Sequence, residues 1–276
     1  MSRPATPHRV LVTGGAGFIG VNLIAELEKH SGFEIVVLDN ESLGKAETIA
    51  GSDVRFIAGD IVDPSKVREA MQGVHSVIHL AADTRIIDSI EDPNKNFEIN
   101  VKGTFELLCA ARDLGVTRFI NASSGGAILG PQSPPIHEKM LPHPISPYGA
   151  AKLAAEGYCS AFHGSYGLNT ISLRFSNIYG PGSLHKNSVV AHFIKSILRG
   201  EHLTVYGDGS QTRDFLFVED LVRGIWQFLG SAHVGTYQLG SGQATPLTEL
   251  IAIIRNVAGE AHAFDVEYKD FRTGEI

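Results

Sequence analysis

The chain of 276 residues has only two cysteines, Cys109 and Cys159, and a single tryptophan. Both cysteines sit in apolar, helix-like patterns, and the opening MSRPATPHRV lacks the basic-then-apolar character of a secretion leader. Free buried thiols and a cytoplasmic location are therefore expected, rather than a disulfide scaffold. No apolar run approaches the roughly 18 residues that span a bilayer, so no membrane association is expected. No block of basic residues offsets the formal net charge of −7, which argues against a nucleic-acid partner. The twelve histidines form no Cys-His ligand cluster, and no metal site is expected. Internal repeats and low-complexity segments are absent as well. What remains is a globular chain of 43% hydrophobic residues with a mean hydropathy near zero, long enough for one large α/β unit or two linked ones.

Short runs rich in β-branched residues punctuate the first two thirds: VLVT (10–13), EIVVLD (34–39), VRFIAGD (54–60), SVIHLAA (76–82), RFINASS (118–124) and TISLRF (170–175). Their continuous apolar character, without alternation, suits strands buried on both faces. Helical patterns lie between them at 18–30, 64–72, 96–114 and 148–164. The third carries Phe97, Val101, Phe105 and Leu108 on one stripe and stops at Gly115. This alternation predicts a Rossmann-type, doubly wound parallel sheet. After about residue 175 the rhythm breaks into Pro- and Gly-rich loops, a helix at 187–199, an amphipathic helix in FVEDLVRGIWQFL, the short strand TYQLG and a helix opening near Thr245–Pro246. Residues 1–175 with about 214–240 are expected to form a dinucleotide-binding domain, and 176–213 with 241–276 a smaller C-terminal α/β domain for the substrate.

In VLVTGGAGFIG, Gly14, Gly17 and Gly20 occupy the turn from the first strand into the first helix. Gly14 allows the tight turn, Gly17 lets backbone approach a diphosphate, and Gly20 lets helix and sheet pack closely. Asp39 closes the second strand about 20 residues on, where an acid accepts from the ribose hydroxyls and repels a 2′-phosphate; this favours NAD over NADP. Asp60, ending the third strand, is a candidate for the adenine edge.

SPYGAAK places Tyr148 and Lys152 on one face at the start of a helix. Tyrosine ionises near pH 10, and a neighbouring ammonium favours the phenolate, so the pair can take a proton from a substrate alcohol while hydride leaves the same carbon. Alone, Tyr-x-x-x-Lys is a frequent accident of helices. Here it follows a nucleotide-binding half and a strand that ends in Ser123 and Ser124.

These motifs resemble the extended short-chain dehydrogenase/reductases, in particular the nucleotide-sugar epimerase and dehydratase group. TGGAGFIG (13–20), VLDN (37–40), GDI (59–61), HLAA (79–82), INVKGT (99–104), SPYGAAK (146–152), RFSNIYGPG (174–182) and VYGDGSQTRDF (205–215) follow that group's order and spacing over nearly the whole chain. The resemblance implies a bound NAD contacted by Gly14, Gly17, Phe18, Ile19, Gly20, Asp39, Asn40, Asp60, Ile61, Leu80, Ala81, Ala82, Tyr148, Lys152 and the strand end at Phe175. It also implies a nucleoside-diphosphate sugar between the domains, with Ser123, Ser124 and Asn177 near the sugar and Arg213 and Arg272 on its diphosphate. A homodimer formed through residues 96–114 and 148–164 follows from the same resemblance. Members of the group usually run several tens of residues further, so the later domain is expected to lack its last elements.

Within such a group the residues after the strand-end hydroxyl separate the chemistries. Dehydratases and decarboxylases carry an acid there and 3,5-epimerases a cysteine, whereas Ser124 is followed by Gly125, Gly126 and Ala127. Ser124, Tyr148, Lys152 and NAD suffice for transient oxidation at C4 and return of hydride to the opposite face, the chemistry of a UDP-glucose/UDP-galactose 4-epimerase. Counting back from Gly130, the group's usual hydroxyl falls on Gly125, and Leu129 stands where tyrosine is common; Ser124 is the nominee for the hydroxyl, with Ser123 second. Two alternatives stay open: a nucleoside-diphosphate 4-keto-sugar reductase or a dehydratase of the same group, and a non-catalytic nucleotide-binding relative.

Overall fold

The computed structural model describes residues 7–270. Its frame is a seven-stranded, wholly parallel sheet with helices on both faces. In chain order the first six of its strands are β1 (His8–Thr13), β2 (Phe33–Asp39), β3 (Val54–Ala58), β4 (Ser76–His79), β5 (Arg118–Ser124) and β6 (Asn169–Phe175). Between them run α1 (Phe18–Leu27), α2 (Pro64–Ala70), α3 (Ile86–Glu91), α4 (Pro93–Phe97), α5 (Thr104–Asp113), α6 (Gly125–Leu129) and α7 (Pro147–Tyr166). The chain continues through β7 (Asn177–Tyr179), α8 (Val189–Leu198), β8 (Leu203–Tyr206), β9 (Thr212–Arg213), β10 (Phe215–Phe217), α9 (Val218–Leu229), β11 (Gly235–Leu239), β12 (Thr245–Pro246), α10 (Leu247–Ala258) and β13 (Val266–Lys269). The order across the sheet is β3-β2-β1-β4-β5-β6-β11, so chain direction through the sheet reverses between β1 and β4. In such sheets ligands bind beyond the carboxyl ends of the strands at that reversal.

The buried strands explain their unbroken apolar runs. Successive residues of one strand enter two separate cores: Val10 and Val12 meet Leu23, Ile24 and Leu27 of α1 and Leu221, Val222 and Ile225 of α9. Leu11 faces the opposite side, with Val67 of α2, Leu107 and Leu108 of α5, and Phe162 of α7. The later segments form a smaller α/β unit with its own cluster of Phe193, Leu203, Val205, Leu247, Leu250 and Ile251. Its strands pair only in twos: β7 with β10, β9 with β12, and β8 with β13.

The helix expected over 96–114 is interrupted. A wide π-type turn, Glu98–Gly103, lies between α4 and α5. Its extra residue rotates the apolar stripe, so Leu108 is fully buried while Phe97 is 55% exposed and Phe105 lies at the surface. Gly103 permits this turn against the sheet, since a Cβ there would stand 2.7 Å from Ile61 Cδ1. Among the described residues, no helix is long and apolar enough to cross a membrane.

Candidate active site

The turn after β1 is shaped by close backbone approach. Gly14 has φ +70°, its N–H donates to Leu38 O at 2.9 Å, and a Cβ on it would stand 2.7 Å from the Ala81 nitrogen. Gly20 brings α1 against the same turn: a Cβ there would meet Gly14 O at 2.5 Å. At Gly17 the N-terminus of α1 has no side-chain cap, so the first-turn N–H groups, those of Phe18 and Ile19 included, lack intrahelical acceptors and suit an anion. The Asp39 carboxylate is buried and stitches the end of β2 to this turn, accepting from Ala16 N–H at 3.0 Å and Glu41 N–H at 2.8 Å. Asn40 donates to Asp60 at 2.7 Å, and Asp60 also accepts from Val62 N–H. Leu80, Ala81 and Ala82 lie half-buried where β4 ends, and Ile61 turns its side chain into the core. A backbone-lined cradle and an uncapped helix end offer the donors a diphosphate needs, and the acid closing β2 offers an acceptor for hydroxyls, so these residues fit NAD.

Ser146 caps α7 by accepting from Gly149 N–H at 3.1 Å, with Pro147 in the first turn. That cap sets Tyr148 and Lys152 on the helix face toward β5. The Tyr148 N–H donates to Ser89 Oγ at 3.2 Å, which ties the site to α3. Lys152 Nζ donates to Ala122 O at 2.9 Å and lies 5.9 Å from the centre of the Tyr148 ring. Burial pushes the Tyr148 phenol up to about 12, against a hydrogen bond from the Ser124 hydroxyl that favours the phenolate; the Asp83 charge adds to the rise. Burial likewise brings Lys152 down to about 8, opposed by Cys159 and Glu156. The expected lowering of the phenol by the ammonium is not found: burial dominates, and the opposing influence comes from the Ser124 hydroxyl.

The neighbouring serines have separate fates, because successive strand residues face opposite sides of the sheet. Ser124 stands at the start of α6 without capping it, and its hydroxyl reaches Tyr148. Ser123 is buried and donates to Glu156 Oε1 at 2.7 Å, while Arg174 of β6 closes on the same carboxylate at 2.8 and 2.7 Å. The Ser123 hydroxyl thus belongs to a buried ion-pair network, while the Ser124 hydroxyl is directed to Tyr148. Phe175 ends β6 in register with Ser124.

In the smaller unit, Asn177 is exposed at the start of β7 and donates through its amide to Asp214 O at 3.3 Å. Arg213 is half-buried in β9, with Nη1 donating to Thr212 O at 2.8 Å. The Asp214 carboxylate is occupied by Ser241 N–H and Oγ and by Gly242 N–H, at 2.8 to 3.0 Å. Arg272 lies outside the described residues.

Reading the sequence for catalysis missed Ser89, Asp83 and the Ser123–Glu156–Arg174 network. The sequence also contains one His-x-x-x-His spacing, His75 to His79, which suits a metal only on a helix. Here β4 separates the rings: His75 accepts from Arg9 N–H, and His79 bonds Thr13 and Thr104 at 2.8 and 2.9 Å. Burial, then the Lys152 charge, holds His79 down to about 3 and hence neutral. Among the described residues, no three His, Cys, Asp or Glu side chains are grouped to hold a metal.

Residues 10–240 match the NAD dependent epimerase/dehydratase family. The chain belongs to that family. Among its relatives, the UDP-glucose 4-epimerase of Mycolicibacterium smegmatis is 36% identical over 277 residues, covering 97% of this chain and 88% of the relative. The solved UDP-glucose 4-epimerase of Thermotoga maritima, with UDP-glucose, superposes with a TM-score of 0.91 at 34% identity, covering 96% of this chain and 87% of that one. The Thermus thermophilus UDP-glucose 4-epimerase, in complex with NAD, superposes with a TM-score of 0.89 at 37% identity, covering 97% and 88%. NAD is accordingly the cofactor of this family member.

Proposed function

We propose that the protein inverts the configuration at C4 of a UDP-hexose of the glucose/galactose type, with NAD retained through the cycle. The observation that carries this reading is the composition of the site at the end of β5. A hydroxyl, a phenol and an ammonium converge there, while Gly125, Gly126 and Ala127 supply no acid or thiol for elimination or proton abstraction from other carbons. When bound, NAD supplies the hydride acceptor and donor, and the positive charge of its oxidised ring favours a nearby phenolate. Ser124 donates a hydrogen bond to the O4 of the sugar, and Tyr148 takes the O4 proton and returns it at the end of the cycle. Lys152, fixed by Ala122 O, keeps its charge beside the phenol and within reach of the nicotinamide ribose. Between the two proton transfers the 4-keto sugar turns about its link to the diphosphate. Asn177 and Arg213 anchor that diphosphate, Arg by a forked contact to its oxygens.

The protein acts as a homodimer in the cytoplasm on the same reading. Phe105, Tyr158 and Tyr166 crowd one surface of α5 and α7, with Phe105 5.1 Å from Tyr158, and this apolar face suits a second copy. Cys109 and Cys159, both free thiols, suit a reducing compartment.

The test is incubation with UDP-glucose, UDP-galactose and their N-acetyl and uronate counterparts, without added NAD, following C4 by proton NMR. Inversion without consumption of NAD or NADH is expected. Failure to invert the panel, with NADH consumed stoichiometrically when a UDP-4-keto-hexose is supplied, would establish a keto-sugar reductase instead, and no inversion of any member would end the proposal. Tyr148→Phe should lower the rate about 10²- to 10⁴-fold with UDP affinity retained.

A further inference from the structure

The loop after β7 crosses from the sugar-side unit to the cofactor turn and brings a lysine with it. Asn22 of α1 donates to Pro181 O at 3.2 Å and to Phe18 O at 2.8 Å, which latches the loop to the first turn of that helix. A Cβ on Gly182 would meet the Phe18 ring at 3.7 Å, so the backbone there lies against it. The loop is folded on itself through Ser183, whose Oγ donates to Gly180 O at 2.7 Å, and through Lys186 N–H, which donates to Ser183 O at 2.8 Å. Lys195 of α8 fixes the far side by donating to Lys186 O at 2.8 Å and to Asn187 Oδ1 at 3.1 Å. The outcome is a half-buried Lys186 whose Nζ stands 5.3 Å from the centre of the Phe18 ring.

No carboxylate pairs with Lys186 among the described residues. His185 is held below its usual range by burial and then by the charges of Lys186 and Lys195. Burial alone lowers Lys186. A partly desolvated ammonium with no carboxylate partner costs free energy until an anion arrives. The feature beside it is the uncapped N-terminus of α1, the part of the fold shaped for a diphosphate.

We propose that Lys186 is a cofactor-binding residue, its ammonium closing on the diphosphate of NAD from the side opposite the Gly14–Gly20 turn. The loop thereby makes the sugar-side unit part of the cofactor site, and the retention of NAD depends on a residue outside the sheet. The inference rests on NAD occupying the cradle described above.

The test is calorimetric titration of nucleotide-free protein with NAD, ADP-ribose and UDP, comparing wild type with Lys186→Met and Lys186→Arg. Lys186→Met is expected to weaken NAD and ADP-ribose, which share the diphosphate, by about 10- to 100-fold while UDP stays within about twofold. Lys186→Arg should recover most of the loss, and the salt dependence of NAD binding should be shallower in Lys186→Met. Unchanged NAD affinity in a folded Lys186→Met protein would overturn the proposal. Loss of UDP in place of NAD would overturn it as well, assigning the lysine to the sugar nucleotide. If wild-type protein takes no NAD, the cofactor site itself fails, an outcome distinct from either.

Discussion

The parallel sheet and the smaller unit that follows Phe175 achieve order by different means. In the sheet, each inner strand is laddered on both sides and each face is sealed by helices, so every residue is held by many small contacts. In the smaller unit, pairs of two to four residues join segments distant in sequence, and single side chains act as clamps, Asp214 holding Ser241 and Gly242 across from β9. A lesion in the sheet should therefore melt the whole molecule. A lesion in a clamp should change what the sugar side binds while the sheet stands. On the proposed reading the sheet holds most of the NAD contacts and the smaller unit most of those to the sugar nucleotide, which makes the contrast measurable.

The largest effect is expected where a buried charge loses its partner beneath the sheet. Glu156 is buried against both Arg174 and Ser123, so Glu156→Gln leaves the Arg174 guanidinium uncompensated. A loss of about 3–5 kcal/mol in unfolding free energy is expected, read by urea titration, with both ligands losing affinity together. Weakening of UDP alone would blur the distinction between the two regions.

The next effect is a pH dependence placed wholly in the sheet. His79 ionises near 6.5 when unfolded and near 3 when folded. Between those values the unfolded chain holds a proton that the folded chain does not, so lowering the pH favours unfolding. Stability should fall by on the order of 3 kcal/mol from this group as pH drops from 6.5 to 4, and His79→Gln should flatten that slope. Equal slopes in the two proteins would mean that acid opens the molecule elsewhere.

The contrast also accounts for what could be read from residues alone. The phosphate turn was legible because its requirements are local: Gly14, Gly17 and Gly20 lie in one turn, and Asp39 closes the next strand. Tyr148 and Lys152 were legible for the same reason, one helical turn apart. Ser123 was not, since the choice between sugar and core depends on Glu156 and Arg174, brought in by α7 and β6. The stripe of Phe97 and Phe105 failed because one π-type turn shifts the phase, and no periodicity foretells that turn. The short pairings of β7, β9 and β13 carry too few residues for a pattern and exist only because distant segments meet.

A smaller effect should isolate the sugar side. Asp214→Ala removes three hydrogen bonds to Ser241 and Gly242 and loosens the loop facing Arg213 and Asn177. A cost of about 1–2 kcal/mol to unfolding is expected. UDP affinity should fall about tenfold by the same scale, with NAD affinity unchanged. Equal loss of both ligands would show that the clamp supports the sheet edge, where Gly240 follows β11.

The smallest effect lies at the seam, on Gly125. A Cβ there would stand 2.6 Å from Gln238 Oε1, yet that atom ends a movable side chain, and Gln238 Nε2 is buried without a partner. Swinging the amide aside gives up no hydrogen bond at that nitrogen, so Gly125→Ser should alter unfolding by less than about 1 kcal/mol. Its kinetic consequence is sharper. If Ser124 alone polarises O4, Ser124→Ala should cost about 10²-fold in rate, and Gly125→Ser should change the rate by no more than about threefold. Recovery in the double variant Ser124→Ala/Gly125→Ser would show that either position can present a hydroxyl to Tyr148. A gain from Gly125→Ser alone would move the catalytic hydroxyl off Ser124, because a second donor can accelerate the reaction only if the first is misplaced for O4.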